Sequence, residues 1–107
     1  MTNSRLDKLK ALLVEDPDSS FLLFAIAKEL EGLGQSEAAI EAFLVLVEKD
    51  VEYVGTYYHL AKLYEAASDT ATALLTYEKG MLIAKKLKDL HALSELQNAK
   101  MNLELEE

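Results

Sequence analysis

Apolar side chains recur along this chain at spacings of three and four residues, and the pattern stops and restarts several times. Over residues 4–16, Leu6, Leu9, Leu12 and Leu13 mark one helical face. Pro17 ends that segment, because a proline pushes the residue before it out of the helical region. Asp18 or Ser19 can then cap a second helix by accepting its free N–H groups. That helix carries Leu23, Ile26, Ala27 and Leu30, an i, i+3, i+4, i+7 stripe, and Gly32 and Gly34 break it. A third helix is predicted from about Glu37 to Lys49, with Ala39, Ile40, Phe43, Leu46 and Val47 inward. Alternation of the kind that marks strands is missing throughout.

Shifting the register by 34 residues superimposes the pattern on itself. Leu23, Ile26, Ala27 and Leu30 fall on Tyr57, Leu60, Ala61 and Tyr64. Ala39, Ile40, Phe43, Leu46 and Val47 fall on Ala73, Leu74, Tyr77, Gly80 and Met81, and the turn Gly34–Gln35 falls on Ser68–Asp69. Only four residues are identical between 20–53 and 54–87, yet each inward position stays apolar or small. Period and pattern agree where identity hardly does, which is the mark of an internal repeat.

A helix–turn–helix repeat of this length resembles the tetratricopeptide family. The second copy matches its pattern well, with Tyr57-x2-Leu60-Ala61-x2-Tyr64 followed by Ala73-x3-Tyr77-x2-Gly80. The first copy is looser, with Leu23-x2-Ile26-Ala27-x2-Leu30 and Ala39-x3-Phe43-x2-Leu46. Small residues at Ala27, Ala39, Ala61 and Ala73 would let neighbouring helix backbones approach while larger ones fill the grooves beside them. Two features depart from the family. The proline that usually closes each repeat is absent at Val51 and Lys85, and Ser36 and Thr70 stand where an aromatic usually follows the turn. The first departure predicts that the helix from about Thr72 runs unbroken to Lys86 or beyond.

The resemblance implies an all-α, short right-handed solenoid of antiparallel helical hairpins, about six helices in one domain. Its parts would be a half-repeat helix at 4–16, repeats at 20–53 and 54–87, and a capping helix at 89–105. The cap carries Ala92, Leu96, Ala99 and Leu103 inward, with Glu95, Lys100, Glu104 and Glu106 outward. Such end helices keep a terminal repeat from presenting an apolar face to water.

Composition agrees with helices: half the chain is apolar, with one Pro and four Gly. The net charge of −8 is uneven, since residues 1–53 carry 5 basic and 11 acidic side chains and residues 54–107 carry 6 and 8. An acidic surface repels a phosphate backbone, and the only basic cluster, Lys85, Lys86 and Lys88, is too short to reverse that. It reads as a solvated helix end with cations near the negative dipole terminus. No nucleic-acid partner is expected. The first residues mix charges and lack the apolar stretch of a signal peptide, and the longest apolar run, Phe21–Ala27, is far short of the roughly 20 residues a membrane span needs. A soluble, cytoplasmic protein without membrane attachment is the expectation. The absence of Cys excludes disulfides and thiolate chemistry.

Catalytic arrangements are not evident. His59 and His91 lie far apart, no metal-binding or Gly-rich phosphate motif occurs, and Ser94 beside His91 lacks a third group to orient the imidazole. Carboxylate pairs such as Glu37/Glu41 read as solvated helix faces. No enzyme activity, metal or cofactor is expected.

A concave groove remains, and the resemblance implies that the outward face of each repeat's first helix lines it. In the first copy these residues are Phe21, Phe24, Ala25, Lys28 and Glu31; in the second, Gly55, Tyr58, His59, Lys62 and Glu65. Aromatics with flanking charges suit an unidentified protein or peptide, bound as an extended segment or helix through apolar anchors. The alternative is that Phe21 and Phe24 are buried by the end helices. Chaperone-binding members of the family grip a C-terminal carboxylate with Lys, Asn and Arg at places matched here by Phe24, Lys28, His59, Asp89 and Leu93. Only Lys28 has the right charge, so a carboxylate clamp is excluded. The chain is thus read as a non-catalytic scaffold or adaptor, monomeric or weakly dimeric. The competing readings are a homodimerising module that pairs apolar end faces and, less favoured, a groove for a small regulatory ligand.

Overall fold

The computed structural model describes residues 4–106, in which six α-helices and no strands occur. They are α1 (Ser4–Glu15), α2 (Ser20–Gly32), α3 (Ser36–Lys49), α4 (Gly55–Ala66), α5 (Thr70–Leu87) and α6 (Leu90–Glu106). Packing divides them into two compact units, Met1–Asp50 and Val51–Glu107.

Local chemistry sets the helix boundaries. Of the two capping candidates before α2, Ser19 is the one used; its Oγ accepts from the Leu22 N–H at 3.2 Å. Asp69 and Asp89 serve α5 and α6 alike, accepting from Thr72 N–H at 3.2 Å and Ala92 N–H at 3.0 Å. Three helices end in the same way. The N–H groups of Gln35, Asp69 and Asp89 reach back to the carbonyls of Leu30, Tyr64 and Ala84, closing Schellman turns at 2.9–3.0 Å. Each turn needs one left-handed residue, and these are Gly34 (φ 77°), Ser68 (φ 62°) and Lys88 (φ 58°). Gly34 and Ser68 are one repeat apart, so the 34-residue register holds in the backbone conformation as well as in the apolar pattern. With no proline to stop it, α5 continues to Leu87, as expected, and only the turn at Lys88 ends it.

In the first unit, α2 packs on α3, and α1 packs on α2. Leu23, Ile26, Ala27, Leu30, Ala39, Phe43 and Leu46 are buried. Hydrogen bonds tie the end of α3 to the start of α2: Ser20 Oγ donates to Asp50 Oδ2 at 2.6 Å, and Lys49 Nζ donates to Asp18 Oδ1 at 2.8 Å. On α1 the structure departs from the expected face. Leu6 is buried and Leu9 and Leu13 half-buried, but Leu12 is 54% exposed. At about 100° per residue, the first three lie within an arc of about 60° and Leu12 sits about 60° further round, past the edge of the one helix α1 packs on.

In the second unit, α4 and α6 both pack on α5 and touch each other. Tyr57, Leu60, Ala61, Ala73, Tyr77, Ala84, Leu96, Ala99 and Leu103 form its core. Tyr57 buries its ring and donates its hydroxyl to the Val51 carbonyl at 2.5 Å, which fixes the approach to α4. Gly80 sets the spacing of α5 from α4: a Cβ there would lie 2.6 Å from Tyr57 Cβ and 3.1 Å from Leu96 Cδ1.

These turns and contacts give two expected outcomes. Gly34→Ala lowers stability by about 1 kcal/mol, because a side chain is disfavoured at positive φ, whereas Ser68→Gly at the equivalent position raises it by up to about 1 kcal/mol. Denaturant titration of both variants checks the opposite signs. Gly80→Ala destabilises by about 1–2 kcal/mol, overpacking outweighing the better helix propensity of Ala; a more stable variant would show that Tyr57 and Leu96 yield freely.

Candidate functional site

The outward faces of α2 and α4 hold the candidate residues, one face in each unit, and the two are described separately. On α2, Phe21 is 68% exposed, so the end helix of this unit does not cover it. Phe24, one turn later, is half-buried and meets Phe43 edge-on, with ring centroids 5.9 Å apart. Phe24 therefore serves the hairpin core with one edge and the surface with the other. Lys28 is exposed, and its Nζ lies 3.7 Å from Glu31 Oε1, one turn on. Phe21, Phe24, Ala25 and Lys28 line an open cleft of about 420 Å³, completed by Glu29 and by Arg5 of α1. Arg5 Nε pairs with Glu29 Oε1 at 2.9 Å. Sequence reasoning missed Arg5 and Glu29. A pair this far apart in sequence leaves no periodic signal.

On α4, Gly55, Tyr58, His59, Lys62 and Glu65 are all half-buried. The Tyr58 and His59 rings stand edge to face at 5.6 Å, and Lys62 Nζ lies 5.7 Å from the Tyr58 ring centroid, a cation–π arrangement. Lys62 also pairs with Glu65 at 3.7 Å, the same i, i+3 pairing that Lys28 and Glu31 make one repeat earlier. Glu65 has a further partner, since the buried Tyr77 of α5 donates its hydroxyl to Glu65 Oε2. Burial of the phenol, then the Glu65 carboxylate beside it, holds the Tyr77 pKa well above its ordinary value of 10.0. Glu65 is thus a fixed acceptor that anchors α4 to α5 and holds Lys62 in place. Tyr77 entered the sequence analysis only as a core residue; the signal for its second role is that a buried tyrosine hydroxyl needs a partner. Asp89, at a place where clamp-type members carry a cation, is occupied as the cap of α6. Among the described residues no helix is long and apolar enough to cross a membrane.

Helical hairpins that repeat at 34 residues define a helical-repeat protein. The chain is 30% identical over 91 residues to a TPR repeat-containing protein of Pseudomonas aeruginosa, covering 85% of this chain and 87% of that one. It belongs to the tetratricopeptide repeat family. No protein-family model matches it. Among solved structures, it is similar to a tetratricopeptide repeat domain protein from Salinibacter ruber, with 42% identity, 85% of this chain and 92% of that chain covered, and a TM-score of 0.81. The TPR2B domain of yeast Sti1, solved in complex with pHsp70, shares the fold at 18% identity and a TM-score of 0.87, with 95% of this chain and 82% of that one covered.

The Tyr77–Glu65 bond yields a prediction for the scaffold under the α4 face. Tyr77→Phe costs about 1–2 kcal/mol by removing a charge-assisted bond; Phe43 fills the equivalent place in the first copy, so the ring itself fits. Because the folded pKa lies above the unfolded one, Tyr77 contributes stability that is complete below pH 10.0 and is lost as pH rises above it. Alkaline unfolding curves of the two proteins should therefore converge above that pH.

Proposed function

We propose that this chain is a non-catalytic adaptor whose two units each present a docking face to another protein, the first on α2 and the second on α4. The observation that carries the reading is the cleft on α2, where the exposed ring of Phe21 and the edge of Phe24 stand beside Lys28 and Arg5. An apolar side chain of the partner inserts between the rings, and polar groups around it pair with the charged rim. Tyr58, His59 and Lys62 offer a second anchor of the same chemistry on α4. With Lys28 the one cation at the clamp places, the captured segment is an internal stretch or a helix and not a free C-terminus. A chain without Cys suits a reducing compartment such as the cytoplasm.

Capture of a partner by the wild-type chain, followed by calorimetric titration, tests the reading. Phe24→Ala and Tyr58→Ala should each weaken binding by about 1–2 kcal/mol, roughly 5- to 30-fold. Phe21→Ala should weaken it with the melting temperature unchanged, since that ring is mostly in water. Lys28→Ala and Lys62→Ala should cost less at physiological salt, where exposed charges are screened over about 8 Å. Unchanged affinity across these variants would move the partner site off both faces.

A further inference from the structure

The cleft on α2 has one wall that is held far less firmly than the other. Among the described residues of α1, only Leu6 is buried, with Leu9 and Leu13 half-buried, whereas each of the other five helices buries three to five residues. The ion pair from α1 to α2, Arg5 Nε to Glu29 Oε1, leaves the Arg5 side chain 73% exposed, where water weakens the attraction. Glu15 stands at the negative end of the α1 dipole, and the last turn holds no basic residue to offset it. A helix of 12 residues is marginal on its own in water, so α1 depends on its contact with α2. Undocking gives up the burial of these leucines and a screened ion pair, and little else.

We infer that α1 is a built-in ligand of the α2 face, displaced by an amphipathic helix of the partner protein; this rests on α2 being the docking face of the first unit. The structure itself shows what that face accepts. α1 turns Leu6, Leu9 and Leu13, at i, i+3 and i+7, inward on α2 and sets Arg5, just ahead of the first leucine, on Glu29. A partner helix with the same apolar spacing, and a cation ahead of its first apolar residue, reproduces those contacts. Its cation takes the place of Arg5 on Glu29, whose side chain is only 21% exposed, and meets no general repulsion from a chain of net charge −8. The place of α1 is continuous with the cleft, because Arg5 and Glu29 line it together with Phe21 and Phe24. Occupancy by α1 lowers the apparent affinity for the partner in proportion to the fraction of chains in which α1 is undocked. A mutational effect of unusual sign follows. Weakening α1 strengthens binding.

A labelled synthetic peptide of residues 4–16, acetylated and amidated, is the probe, titrated against the full chain by fluorescence anisotropy. Leu6→Ala in the chain loosens α1 without altering the α2 face, so this variant should bind the peptide at least about tenfold more tightly than the parent. A peptide that itself carries Leu6→Ala should lose most of that binding, and one carrying Arg5→Gln a smaller part. Hydrogen exchange supplies a second measurement on the unaltered chain. Amides of α1 should exchange through a local opening that low denaturant does not change, while those of α2 stay protected. Protection of α2 in the Leu6→Ala chain shows that its hairpin remains folded. Equal peptide binding by parent and variant, or binding by neither, would overturn the displacement, as would α1 amides that exchange only together with those of α2. Titration of a captured partner separates this outcome from the docking face itself. Binding weakened by Phe24→Ala but unmoved by Leu6→Ala would keep α2 as the docking face and remove α1 as its ligand.

Discussion

Helix backbones in each unit come together at residues with little or no side chain, and the rest of the architecture follows from that closeness. Ala27, Ala39, Ala61, Ala73 and Ala84 are completely buried, and Gly80 lies so near Tyr57 that even a methyl group would intrude. Close approach brings the flanking large residues, Phe43, Leu46, Tyr57 and Tyr77, into full burial. It also explains how 34-residue copies with four identities can share a fold: the fixed quantities are small-residue positions and the geometry of the turns.

The same packing prepares the outward faces. Residues one step around the helix from the core stripe inherit its rigidity, as Phe24 does through Phe43 and Glu65 does through Tyr77. Side chains held in this way have little freedom left to lose in any further contact. Phe21 and Lys28 are the adaptable members, and they sit beside those fixed ones.

Stripes at three- and four-residue spacing located the first three helices directly, and the 34-residue register with the family resemblance placed the other three. Ser19 was readable as a cap from its chemistry, although Asp18 competed for the role. Ser68 was a different case, since nothing in a serine announces a left-handed backbone; only its alignment with Gly34 does. Leu12 misled because four leucines within eight residues cannot all face a single neighbour. For the candidate site, the helix face was readable and the long-range partners were not. The Arg5–Glu29 pair and the Tyr77 bond to Glu65 arise when separate helices dock, and their residue types carry no positional code.

The division of aromatic residues between the units has a practical meaning. All three Phe lie within the first unit and all five Tyr within the second. With no Trp, tyrosine absorbance and tyrosine fluorescence report on the second unit alone, while far-ultraviolet dichroism sums the helices of both. The molecule thus contains its own optical label. Melting curves from the two signals would coincide if the halves unfold as one cooperative body and separate if they do not. Cooperativity between neighbouring repeats, which usually demands an engineered probe, can be measured here on the unaltered chain.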